Sequence, residues 1–97
     1  MPFLVEADGD VVGFCLFRVR DGGWDVAEFS ITPDRHRAGV GRAAVEAVAD
    51  RARSPGATHL QAKVHPDNLR ALPFWLAVGF SEVGTPETGV TVTRRPL

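Results

Sequence analysis

The sequence predicts an α/β (α+β) fold: a mixed, mainly antiparallel sheet in the order βββ-α-β-α-ββ, with helices packed on its faces. Three observations carry that expectation. The first third of the chain alternates apolar and polar residues in runs broken at Asp8-Gly9-Asp10 and Asp21-Gly22-Gly23. From Val40 the apolar residues recur at helical spacing instead. Alternation then returns at Leu60, Ala62 and Val64.

Taken in order, Met1 to Ala7 reads as a short strand, closed by the Asp8-Gly9-Asp10 turn. Val11 to Arg20, rich in valine, phenylalanine and leucine, is the second strand. Trp24 to Thr32 is the third, stopped by Pro33, with Asp25, Ala27, Phe29 and Ile31 expected on one side. The next segment places Ala44, Val45, Val48, Ala49 and Ala52 on one face. Arg42, Glu46, Asp50 and Arg53 lie opposite, which makes an amphipathic helix of about 14 residues ending at Ser54-Pro55-Gly56. A helix that joins two strands makes them parallel, so the Leu60–His65 strand is expected to run parallel to a predecessor. Asp67 is expected to cap a second helix carrying Leu69, Leu72, Trp75 and Leu76 to Gly79, with a kink or a fresh first turn at Pro73. Phe80–Gly84 and Val90–Arg95 form a closing hairpin around Pro86 and Gly89.

With 97 residues and no linker or repeat, residues 1–97 read as one domain. The net charge of −1 argues against a dedicated nucleic-acid binder. No apolar run approaches the ~18 residues a membrane span needs, and no signal peptide precedes Glu6, so the expected location is cytoplasmic. Cys15 cannot form an internal disulfide, lacks partners for a zinc site, and reads as a buried small hydrophobe. His59 and His65 have no partner at metal spacing, so no metal is expected.

The stretch that carries chemistry is Arg35-His36-Arg37-Ala38-Gly39-Val40-Gly41-Arg42, between a strand and a helix. Two glycines allow close approach of a ligand. The first amides of the helix have no intrahelical partners, and the positive end of the helix dipole favours phosphate there. The same residues also suit a plain glycine turn beside solvated arginines. A dinucleotide site is a further alternative, since Gly39-Val40-Gly41-Arg42-Ala43-Ala44 fits G-x-G-x-x-A. Against it, the first glycine lies seven positions after Thr32, whereas the Rossmann turn follows its strand directly.

Residues His36 to Gly41 resemble the cofactor-binding motif Arg/Gln-x-x-Gly-x-Gly/Ala of the GNAT acyltransferase superfamily, with His36 at the Arg/Gln position. Asn68, Ala71, Phe74, Trp75, Gly79 and Phe80 match the spacing of a second motif, N-x-x-A-x-x-F-Y-x-x-x-G-F. Phe29-Ser30-Ile31-Thr32-Pro33 looks like the family's fourth strand and its following proline. The resemblance implies an N-acyltransferase moving an acetyl group from acetyl-CoA to an amine, or a non-catalytic acyl-CoA-binding or regulatory module. It implies that Phe29, Ser30 and Ile31 meet the pantetheine arm and that Arg37, Ala38, Gly39, Val40, Gly41 and Arg42 wrap the pyrophosphate. Asn68 would bond the pantetheine amide region, and backbone donors near Ile31 would face the oxyanion.

Trp75 stands where the family commonly has a tyrosine acid and has no ionisable group, so its expected part is packing, in the core or against pantetheine. Asp25 and Glu28 are the candidate bases, and each also reads as a solvated strand carboxylate. Strict alternation would let only one of them point at the acceptor, unless a bulge intervenes. Family members usually carry a strand and two helices ahead of the segment that begins here at Met1. A homodimer is expected to cover the face this leaves bare.

Overall fold

The structure is a computed structural model and describes residues 1–35, 39–84 and 89–97. Strands β1 (Pro2–Ala7), β2 (Asp10–Arg20) and β3 (Gly23–Ile31) form an antiparallel meander. Both turns are two-residue Asp-Gly pairs with positive φ throughout: Asp8 at 54° and Gly9 at 84°, then Asp21 at 50° and Gly22 at 79°. Aspartate and glycine are the residues that tolerate this geometry, and its twist matches that of the strands. A single 3-10 turn over Pro33–Arg35 follows β3, then helix α1 (Val40–Arg53). β4 (His59–Val64), α2 (Ala71–Ala77), β5 (Ser81–Gly84) and β6 (Thr91–Pro96) complete the fold. The sheet order is β1-β2-β3-β4-β6-β5, and β3 pairs with β4 in parallel, as the intervening helix requires.

Both helices lie on the same face of the sheet. Val45, Val48, Ala49 and Ala52 of α1 and Trp75 of α2 share one buried cluster with Cys15, Phe17, Trp24, Leu60, Ala62 and Val64 from the strands. Burying a side chain of the size of Phe17 or Leu60 contributes about 1.5–3 kcal/mol, so this layer holds the domain together. Burial also raises the pKa of the Cys15 thiol.

Two sequence expectations are corrected. The second helix begins at Ala71, and Arg70 rather than Asp67 occupies the cap position, without a side-chain cap bond. Pro73 is then the third helical residue, in the first turn, where a missing N–H leaves no helical bond unmade. Leu69 falls ahead of the helix and is 83% exposed, so it is not a core residue.

The second correction concerns β3. Leu16 pairs with Glu28, but Phe17 pairs with Val26, so Ala27 is an extra residue in the strand. This β-bulge breaks the expected alternation. Trp24 and Val26 before it share the helix-covered face with Phe29 and Ile31 after it, each set matching the odd-numbered residues of β2. Asp25 therefore lies on the face opposite Phe29 and Ile31, not beside them.

Candidate functional site

The bulge coincides with the place where the sheet opens. β3 is laddered to β4 only over Gly23, Asp25 and the residue between them, paired with His59 to Gln61. Beyond Asp25 the two strands separate, while β4 continues against β6 as far as Val64. A cavity of about 730 Å³ lies there, lined by Phe29, Ile31, Arg35, Gly41, Asn68 and Phe74, and by residues 69–71 and 73. Its walls are mainly apolar, with Arg35 and Arg70 supplying positive charge.

Gly39 caps α1 in the left-handed conformation, φ 77°, which a side chain would strain. Gly41 is required for another reason. A Cβ there would come within 2.9 Å of the Phe74 ring, so the helix start and α2 meet with no room for a side chain. Phe74 lies 5.5 Å, centroid to centroid, from Phe29 on β3. One aromatic ring thus joins α1, α2 and the separated strand.

Arg35 is fixed from a distance. Its Nη1 donates to Asp8 Oδ2 at 3.2 Å, and Nη2 lies 3.7 Å from Asp10 Oδ2. The β1–β2 turn thereby holds a cation at the cavity. This partnership joins residues 27 apart in sequence, and no spacing rule points to it.

Of the residues expected to bind cofactor, Phe29, Ile31, Gly41 and Asn68 line the cavity. Ser30 pairs with Phe14 and points to the opposite face. Gly39 and Val40 border a second hollow between α1 and β1. Arg42 is turned toward the end of α2, donating from Nη2 to the Ala77 carbonyl at 2.8 Å. His36, Arg37 and Ala38 lie outside the described residues. Trp75 is 6% exposed and packs against Phe29, Phe74 and Phe80, at 5.3, 4.9 and 4.9 Å between centroids. It sits in the core behind the cavity wall.

The two candidate bases share a face. Asp25 pairs across the sheet with Arg18 and Glu28 with Leu16, both even-numbered residues of β2. Three positions apart on a regular strand they would point in opposite directions, and the bulge at Ala27 reverses that. The Asp25 side chain is 16% exposed and lies 3.8 Å from Arg20 Nη1, while Glu28 is exposed. Among the described residues no group of three or more His, Cys, Asp or Glu could hold a metal ion, and no helix is long and apolar enough to cross a membrane.

A mixed sheet that splits at a bulge, with a helix start and a cation facing the split, defines an α/β domain with an apolar cleft beside two parallel strands. Residues 1–80 match the acetyltransferase (GNAT) family model, and the chain belongs to this family. It is 34% identical over 86 residues to a mycothiol acetyltransferase of Kineococcus radiotolerans, covering 84% of this chain and 27% of that protein. It is 28% identical over 97 residues to an L-2,4-diaminobutyric acid acetyltransferase of Nocardia farcinica, covering 97% of this chain and 47% of that protein. The chain thus spans about a quarter and about half of the length of these two relatives. Among solved structures, an acetyltransferase from Thermus thermophilus superposes with a TM-score of 0.84 at 28% identity, covering 99% of this chain and 63% of that one.

Proposed function

We propose that the protein is an N-acyltransferase that moves an acetyl group from acetyl-CoA to an amine by direct attack. The observation that carries this reading is the bulge at Ala27. It coincides with the opening beside β3 and sets Asp25 and Glu28 together on the far side of the sheet from the helices. Acyl-CoA enters from the helix side, its diphosphate against the start of α1 and Arg35, its pantetheine arm along Phe29 to Ile31 with Asn68 opposite. The thioester then lies in the split, within reach of an acceptor on the far face.

A neutral amine nitrogen attacks the thioester carbon, and Asp25 or Glu28 takes the proton the nitrogen sheds. The C–S bond breaks, and the CoA thiolate leaves with the electron pair and is protonated from solvent. Trp75 has no proton to give at physiological pH and serves the core. The reaction is placed in the cytoplasm, and a second copy of the chain is proposed to cover Leu4, Phe14 and Leu16 on the open face of β1 and β2. Light scattering that finds only a 10.5 kDa species sinks that dimer.

Calorimetry with acetyl-CoA, CoA and NAD, followed by an amine panel, tests the main reading. Tight binding of acetyl-CoA and CoA, with acetylation of at least one amine, is the expected result. Binding without turnover on any amine would leave a non-catalytic acyl-CoA module. Failure to bind either CoA form overturns both.

A further inference from the structure

The open face of the sheet carries one ordered polar row. Asp25 on β3, Gln61 on β4 and Arg94 on β6 are direct register partners across three neighbouring strands. Gln61 is only 9% exposed although neither of the two described helices covers this face. Arg94 lies over it, with Nε donating to Gln61 Oε1 at 2.6 Å. That bond uses one of the five donors of the guanidinium and fixes the group at a definite place on the sheet. Arg20 instead lies beside Asp25, its Nη1 at 3.8 Å, so its charge is spent on the acid end of the row.

We infer that Arg94 is the anchor for an anionic group on the acceptor, so that the acceptor is an amine bearing a carboxylate rather than a simple alkylamine. This rests on the acyl-transfer reading for the position of the amine beside Asp25 and Glu28. Strands are spaced by about 4.8 Å, which puts the α-carbons of Asp25 and Arg94 roughly 10 Å apart. Both side chains rise from the same face, and Arg94 leans over Gln61 toward β3, so a short acceptor can touch both, and a γ-amino acid is a simple molecule of this kind. Arg94 offers a planar fork suited to a carboxylate, and its tether to Gln61 reduces the ordering that binding requires.

The test compares 4-aminobutanoate with butylamine, which has the same carbon chain without the carboxylate. Binding of each is titrated by calorimetry on wild type, Arg94→Gln, Arg94→Lys and Arg51→Gln, and acetyl-CoA is titrated separately. Wild type is expected to prefer 4-aminobutanoate at least tenfold. Arg94→Gln should cut that preference about tenfold, and Arg94→Lys, which keeps the charge but loses the fork, should retain part of it. Arg51→Gln removes the same charge from α1 and should leave the preference intact. In turnover the Arg94→Gln effect should fall on KM for the acceptor more than on kcat. Equal binding of the two amines, no binding of either, or an unchanged preference in Arg94→Gln overturns the assignment. If acetyl-CoA fails to bind while the Arg94-dependent preference persists, the acyl-transfer reading is what fails.

Discussion

On one face of β4, Leu60, Ala62 and Val64 are at most 4% exposed beneath the helices, and on the other the same strand presents His59, Gln61 and Lys63. β3 begins with the same division, Trp24 inward and Asp25 outward, and then changes phase at Ala27. The difference teaches what a single extra residue accomplishes. β4 keeps strict alternation because its inward side chains Leu60, Ala62 and Val64 all join the core beneath the helices. β3 carries one residue more than its partner, and because the strand bulges around it Phe29 still reaches Trp75 and Glu28 still lies outside with Asp25. The extra residue goes into the shape of the strand, leaving the packing on either side of it in register.

Removing Ala27 breaks this arrangement most directly. The deletion joins Val26 to Glu28, so Trp24, Val26, Phe29 and Ile31 still face the helices and both carboxylates still face outward, and only the bulge and its local kink are lost. The deletion variant should keep a cooperative thermal transition by circular dichroism and lose measurable affinity for acetyl-CoA by calorimetry. Affinity near wild type would mean that the bulge does not open the sheet beside β3.

Asp25→Asn and Glu28→Gln sharpen the comparison at its chemical end. Loss of a general base costs about 10²–10⁴-fold in rate, so one of the two should show that loss near neutral pH and recover in part as the free amine fraction rises. Full rates in both variants would remove the base from this face.

Much of the covered face was legible in the sequence. The Asp-Gly turns, the helical period from Val40 and the alternation of Leu60, Ala62 and Val64 each express a local rule, and the structure follows them. The phase change at Ala27 was not legible, because its cause is the register with β2, a partner strand rather than a neighbour in sequence. The loop glycines were readable as a ligand-facing turn, yet the reason Gly41 has no side chain is Phe74, over thirty residues away. Arg35 opened the stretch read as carrying chemistry, but its tether to Asp8 gave no sign, and Arg94 gave none, since an arginine's partner, whether Asp8 or Gln61, depends on topology.

Gly41→Val probes the contact between the two helices at a smaller scale. The added methyl groups meet Phe74, and overpacking of this kind costs about 1–3 kcal/mol. Affinity for acetyl-CoA should fall at least tenfold by calorimetry in the folded variant. Unchanged affinity would show that the start of α1 does not face the cofactor.

The smallest effect is expected from Glu46. Arg95 on β6 donates to this α1 carboxylate at 2.7 Å and holds its pKa below the ordinary glutamate range. A depressed folded value contributes stability that is complete above the unfolded pKa of about 4.3 and disappears as pH falls through the folded value. Glu46→Gln should therefore lower the melting temperature slightly near neutral pH and leave it unchanged in strong acid. A difference that grows on acidification would reverse this sign.

The tether from Arg35 to Asp8 and Asp10 has a consequence for how the domain tolerates change. Tips of exposed hairpins are ordinarily where chains accept insertions, tags and fused partners at little cost. Here the tip holds a cation at the cavity, so lengthening the Asp8-Gly9 turn would free Arg35 and alter the cavity without touching any residue that lines it. In this domain the outermost loop of the meander belongs to the site.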